Sequence, residues 1–279
     1  MKSIGFVDYY LDEWHANKYP SMIEEYNLKN CTGFKLTHAY GDIDSPNGIT
    51  NEEWCRKMGV KGCESIEEIC ALCDYVIILS PSDPDRHLEQ AKRVFKCGKS
   101  PYIDKTFADN YENASEIYRM ADECGVRFFT TSALRYANEL DGYAGKSREM
   151  STFGGGRSIE EYIIHQIEMV VRCVGVGAVA VRYGVSDNLG KVEILYPDSR
   201  SATMTYAPEL SFEAVITRED GESHRMEISS PYFDNLIGEI LKFFTTGRVP
   251  FAREETLEIM KIRDGVLRAV GAPGERICL

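Results

Sequence analysis

No stretch of this 279-residue chain approaches the ~20 consecutive apolar residues that a membrane-spanning helix requires. Basic residues are in deficit, 32 against 44 acidic, for a formal net charge of −12. A surface of that sign repels phosphate backbones and anionic lipid, which argues against nucleic-acid and membrane-surface partners. The first residues, Met1 to Asp8, turn acidic too soon for a secretory signal and read instead as a strand. The nine cysteines are odd in number and follow no framework spacing. Free thiols in a reducing cytoplasm are the expectation. Cys70 and Cys73 form the only close pair, and no second pair completes a four-ligand zinc set.

A further absence concerns glycine. Between the first strand and the first helix a dinucleotide fold presents G-x-G-x-x-G, whose glycines let backbone N–H groups approach a pyrophosphate. The corresponding stretch here is Val7-Asp8-Tyr9-Tyr10-Leu11-Asp12-Glu13-Trp14-His15. It holds no glycine, two tyrosines and three carboxylates, so sterics and charge both oppose the usual pose.

What is present alternates between strand and helix. Lys2 to Val7, Phe34 to Tyr40, Tyr75 to Leu79, Pro101 to Ile103 and Arg127 to Thr131 read as strands. The third is continuous and β-branched, as suits burial on both faces. Asp83-Pro84 opens a helix through Phe95 that stops at Gly98, and Asn110 to Cys124 is a helix stopped by Gly125. Parallel strands joined by right-handed crossovers follow, hence an α/β, Rossmann-like doubly wound sheet over residues 1–133.

From residue 134 to 279 the pattern is that of an α+β domain. A polar, glycine-containing stretch, Asn138 to Arg157, leads into a helix over Glu160 to Val174. Strand-like runs follow at Ala178 to Tyr183, Val192 to Tyr196, Ala202 to Tyr206, Phe212 to Thr217 and Arg225 to Ile228. Turns such as Asp187-Asn188 and Asp220-Gly221 separate them, as in a largely antiparallel open sheet. Two helices close the chain: one with Phe233, Leu236, Ile237, Ile240, Leu241 and Phe244 on a stripe, the other over Glu254 to Val270.

Several segments in order resemble the Gfo/Idh/MocA (glucose–fructose oxidoreductase / inositol dehydrogenase) family. Leu79-Ser80-Pro81 with His87 resembles its T-P-x…H strand end. Gly98-Lys99 to Phe107, with Asp104-Lys105-Thr106, resembles its G-K-x-V-x-x-E-K-P segment. Ser132-Ala133-Leu134-Arg135 matches the arginine after the last strand of the nucleotide domain. Glu161 to His165 resembles D-x-G-x-H, and Gly247-Arg248-Val249-Pro250 resembles G-x-x-P. The resemblance implies NAD or NADP in the first domain and hydride transfer to or from a sugar, inositol or related polyol. It implies catalytic roles for Lys105, His165 and Glu161. Cofactor contacts would come from Tyr9, Tyr10, Asp42, Ser80, Pro81, His87, Asp104 and Arg135, with no metal.

The chemistry needs a group to take the hydroxyl proton. Lys105 follows a strand's carboxyl end, where open α/β sheets bind ligands, although a surface lysine in a polar loop is the alternative. Glu161 and His165 are four apart and share a helix face. Glu168 and Arg172 extend that polar stripe, which an ordinary solvated face with ion pairs would also explain. For His87 a satisfied structural role is the plainer reading, while nothing raises His15, His38 or His224 above surface or core histidines. Thr106 stands where the family has proline, and Asp104 and Glu161 exchange its Glu and Asp. The stretch from Arg135 to His165 is also shorter than in most members.

Three functions remain open: an NAD(P)-dependent oxidoreductase, a sugar-binding or regulatory relative without ordinary dinucleotide binding, and a non-redox acid–base enzyme. A cytoplasmic homo-oligomer, dimer or tetramer, is expected by analogy with the family.

Overall fold

The computed structural model describes residues 1–279, which form two compact units. The first comprises Met1–Thr131 and Leu236–Pro250, the second Ser132–Asn235 and Phe251–Leu279.

In the first unit β1 (Lys2–Asp8), α1 (Trp14–Asn30), β2 (Phe34–Gly41), α2 (Asn51–Met58), β3 (Lys61–Gly62) and α3 (Ile66–Leu72) lead to β4 (Tyr75–Ile78). Then come α4 (His87–Lys96), β5 (Tyr102–Asp104), α5 (Tyr111–Cys124) and β6 (Phe129–Thr131). The sheet has six strands in the order β3-β2-β1-β4-β5-β6, every pair parallel. Strands covered on both faces must be apolar throughout. Accordingly Ile4, Phe6, Val7, Val76, Ile77 and Ile78 are fully buried. At ~1.5–3 kcal/mol for each large side chain, such residues supply the bulk of the driving force for this layer. Gly5 permits the close approach of α3, since a Cβ there would lie 2.5 Å from an Ile69 methyl.

Local sequence sets the helix ends. Asn110 accepts the Asn113 N–H to start α5, and Gly125 closes it at φ 65°. Thr50 and Glu53 form a reciprocal capping box on α2.

The second unit holds β7 (Ser147–Gly154), α6 (Ile159–Val174), β8 (Ala180–Ser186), β9 (Leu189–Leu195), β10 (Ser201–Tyr206), β11 (Glu213–Arg218) and β12 (Ser223–Glu227). The helix α7 (Tyr232–Thr246) follows, with its body in the first unit, and α8 (Arg253–Val270) and β13 (Arg276–Cys278) complete the second. The sheet order is β12-β11-β7-β10-β9-β8-β13, antiparallel except for β7 with β10. The polar stretch before α6 therefore contains a central strand. Its Thr152 hydroxyl bonds the buried Gln166 of α6, which also donates to the carbonyls of Gly154 and Thr205. The face that Glu168 extends along α6 is no solvated stripe, because Glu168 is buried together with Gln166 and Met169. All nine cysteines are free, and no helix is long and apolar enough to cross a membrane.

Candidate functional site

The strand order reverses direction between β1 and β4, the switch point at which doubly wound sheets open a crevice at their carboxyl ends. Asp8 ends β1 there. Its Oδ1 accepts the N–H of Tyr9 (2.7 Å) and of Ser80 (2.9 Å), just past β4. Ser80 takes φ 49°, a left-handed conformation that an L-residue adopts only when its surroundings impose it. Its hydroxyl donates to Gln90, whose amide donates to the exposed Asp42 at 3.1 Å. His87 is fully buried, with ring nitrogens 2.5 Å from the Leu79 carbonyl and 3.1 Å from that of Thr106. Burial holds it below the ordinary imidazole value. It ties the end of β4 to the loop after β5, and so does the structural work expected of it.

The turn between β1 and α1 uses its own side chains to close the helix. Glu13 is extended and its carboxylate accepts the N–H of His15 (2.7 Å) and of Ala16. Its main chain takes part too: Glu13 N–H donates to the Leu11 carbonyl and the Glu13 carbonyl accepts from Asn17. Leu11 N–H goes to Asn51, and Asp12 accepts from the Asn17 side chain and the Ile49 N–H. Its hydrogen bond from Asn17 holds Asp12 below the usual carboxylate range. Tyr9 lies beneath the Arg86 guanidinium, 4.5 Å from its ring centroid, and packs tilted on Tyr10.

Against this turn lies a buried acid–base cluster. His15 Nδ1 is 3.0 Å from Glu13 and its Nε2 is 3.6 Å from Asp104 Oδ2. Burial opposes charge on His15, but the Asp104 and Glu13 carboxylates outweigh it and lift the imidazole above its ordinary value. Tyr19 and Tyr102 both donate to Asp104 Oδ1, each at 3.1 Å. Lys105, only 8% exposed, donates from Nζ to the Pro81 carbonyl at 3.1 Å, bridging the ends of β5 and β4. Burial, then the charge of Glu13, raises Asp8 well above the usual carboxylate range.

A separate polar cluster occupies the second unit. Ser132 Oγ lies 2.6 Å from His165 Nδ1, and Ser132 N–H donates to Glu168 at 2.9 Å. Arg135 pairs with Glu168 at 3.3 Å and with Glu255, and its guanidinium stacks 3.8 Å above the Phe251 ring. Burial opposes this charge, yet the two carboxylates raise the arginine further. Arg135 therefore spends its side chain within a buried ion-pair network. Glu161, in the first turn of α6, pairs with Arg157, while the polar partner that meets His165 Nδ1 is Ser132.

Sequence reasoning brought Lys105, Asp104, Ser80, Pro81 and His87 to one end of the first sheet, and there they lie. It gave no site role to His15, Tyr19, Ser132 or Glu168. Glu13 two residues before His15, at a helix start, was the available signal; the tyrosines and Ser132 had none, being brought in from distant segments.

A dinucleotide in the usual pose needs open N–H groups at the start of α1 and a backbone that approaches closely. Those of His15 and Ala16 are taken by a carboxylate that stands where a phosphate oxygen would stand, and Asp8 and Asp12 add like charge or bulk. The residues present do not fit a diphosphate there.

The parallel sheet, its switch point and the side chains gathered there define a Rossmann-type α/β unit joined to an α+β unit. Residues 27–132 match the model of the Gfo/Idh/MocA family, described as an oxidoreductase family with an NAD-binding Rossmann fold. The resemblance read from the motifs is thereby borne out over those residues, in a chain without the glycine fingerprint. A comparison with curated proteins finds no match. Among solved structures the chain is similar to apo scyllo-inositol dehydrogenase from Lactobacillus casei, at TM-score 0.75 and 16% identity, covering 99% of this chain and 98% of that one. UDP-N-acetylglucosamine 3-dehydrogenase from Acidithiobacillus ferrooxidans gives 0.74 at 14% identity, covering 96% and 97%. A dehydrogenase from Clostridium difficile gives 0.74 at 13%, covering 96% and 99%. At such identities these likenesses establish the fold, α/β with a mostly antiparallel second sheet.

Proposed function

We propose that this chain is an oxidoreductase acting on a sugar, inositol or related polyol, with Lys105 giving or taking the hydroxyl proton. The observation that supports it most is the placement of Lys105: buried, oriented by the Pro81 carbonyl, and at the carboxyl end of a central strand. Acid–base work at a carbinol needs a proton-carrying group held in place within reach of the hydroxyl. His165, held by Ser132, is the second proton-carrying group in this reading, and Glu161 the carboxylate of its helix. Asp42, Ser80, Pro81, His87, Asp104, Tyr9, Tyr10 and Arg135 remain the proposed surroundings of a cofactor, and most of them already serve the protein's own contacts. NAD or NADP enters on the family description alone. We extend the proposal to a homo-oligomer in the cytoplasm, with residues 1–133 as the nucleotide domain and 134–279 as the substrate and assembly domain.

The test is a fluorescence titration with NADH and NADPH, followed by turnover on a panel of polyols. Lys105→Ala and His165→Ala should each abolish turnover while leaving the far-UV spectrum intact; unchanged rates in both variants overturn the site. The Glu13 cap favours a second reading, a sugar-binding or non-redox relative that has lost ordinary dinucleotide binding. Absence of binding by either nucleotide at millimolar concentration decides for it.

A further inference from the structure

Two buried carboxylates, at the ends of β1 and β5, each keep one oxygen outside any hydrogen bond. Asp8 Oδ1 receives two N–H groups and Asp104 Oδ1 receives two tyrosine hydroxyls. Asp8 Oδ2 and Asp104 Oδ2 have no hydrogen-bond partner, although both residues are 1% exposed and His15 Nε2 stands 3.6 Å from the latter. A buried polar atom left unpaired is costly, so such a pair in one place asks for a ligand.

The surroundings narrow its chemistry. An anion is excluded by the Glu13 carboxylate on the helix start, where this fold ordinarily takes a diphosphate. A cation gains little, because His15, lifted toward its charged form, already stands beside Asp104. Asp8 and Asp104 differ in what they ask. Burial raises Asp8 and so favours its protonated form, with Oδ2 the oxygen that receives no N–H group, whereas Asp104 Oδ2 faces His15 Nε2. A hydroxyl both accepts and donates, and so answers both. Trp14, 45% exposed and packed edge-on to His15, adds an apolar face at the rim of the kind that the C–H side of a sugar ring covers.

We propose that the crevice at Asp8, His15 and Asp104 binds hydroxyl groups of a neutral polyol at the place where this fold ordinarily takes a diphosphate. The inference rests on the reading above for the class of ligand, not for the redox step.

The test uses the full chain carrying Trp54→Phe, so that Trp14 is the sole tryptophan and reports locally. It is titrated with scyllo-inositol, myo-inositol and D-glucose, with inorganic pyrophosphate as competitor. At least one polyol should shift Trp14 emission, pyrophosphate should not displace it, and His15→Ala and Asp104→Asn should each weaken it about tenfold. Asp8→Asn serves if Asp104→Asn fails to fold, since two tyrosines lean on Asp104. Binding of no polyol, displacement by pyrophosphate, or unchanged affinity in His15→Ala together with either aspartate variant overturns the inference. A polyol bound here but never oxidised refutes the redox proposal and leaves this one standing. Turnover with unaltered affinity in these variants does the reverse.

Discussion

Replacing Glu13 with alanine tests whether the chain has substituted its own carboxylate for a phosphate. The variant strips α1 of an acceptor for the His15 and Ala16 N–H groups and takes away the partner of His15 Nδ1. Loss of an N-cap costs ~0.5–2 kcal/mol, and with the imidazole contact included the upper part of that range is expected. At about 1.5 kcal/mol the midpoint of a unit this size falls by roughly 3–6 °C. The assay is convenient because both tryptophans, Trp14 and Trp54, belong to the first unit, so their emission follows that unit alone. With the cap gone, the helix start is open to an anion, and pyrophosphate at about ten times its Kd should restore ~1.4 kcal/mol through RT ln(1 + [L]/Kd). The wild-type protein, with its carboxylate in place, should gain nothing at matched ionic strength. Glu13→Gln, which keeps an acceptor oxygen and loses the charge, should fall between the two. A Glu13→Ala midpoint within about 0.3 kcal/mol of wild type, near the error of such comparisons, refutes the argument. So does equal stabilisation of both proteins by pyrophosphate.

Other consequences separate the two units and the two kinds of buried charge. Glu168→Ala leaves Arg135 with Glu255 alone and takes the acceptor from Ser132 N–H, so a loss of ~3–5 kcal/mol is expected. It should appear in denaturation followed by far-UV circular dichroism and leave the tryptophan-detected transition in place; coincident loss in both probes contradicts the assignment. Asp8 behaves oppositely to a salt-bridged carboxylate. Its folded form holds the proton more tightly than the unfolded one, so stability falls as pH rises from the ordinary 3.8 through the raised folded value. Asp8→Asn should flatten that fall in urea titrations of the first unit across acid pH, and an unchanged slope would falsify the protonated assignment.

Much of the fold was legible because its signals are local. Tyr75 to Ile78 announces a doubly covered strand by continuous apolar, β-branched residues, and α5 is bracketed by Asn110 and Gly125. The hairpin between β8 and β9 sits on Asp187 and Asn188, both left-handed, as the dipeptide suggests. Other elements hid for equally physical reasons. Helix α1 buries only Ala16, Tyr19 and Ile23 and contains Pro20, so it shows no apolar stripe. Strand β7 is mostly polar in sequence, because its inward residues include Ser147 and Thr152, whose hydroxyls find partners in the fold. At the site, Lys105 was readable from its segment. The convergence of His15, Tyr19 and Tyr102 on Asp104 was not, since Tyr19 lies 85 positions from Asp104 and His15 farther still.

The glycine-free turn shows both the reach and the limit of that local reading. Counting three carboxylates between Val7 and Trp14 sets the turn against phosphate, yet it treats them as one repulsive patch. In the fold they divide by task. Glu13 caps a helix, Asp12 secures the loop before α2 through Ile49, and Asp8 is buried at the end of β1. Two of these tasks lower the free energy of the fold. The third does not, for a buried carboxyl with one oxygen unpaired sacrifices ~1–3 kcal/mol that a smaller side chain would avoid. Asp104 repeats it in part, its Oδ2 lacking a hydrogen bond and lying 3.6 Å from His15 Nε2. Stability alone would remove both, since substitutions that relieve such a defect are easily found. Their pairing at the switch point, next to Lys105, is therefore better explained by what the crevice binds than by what holds the sheet together.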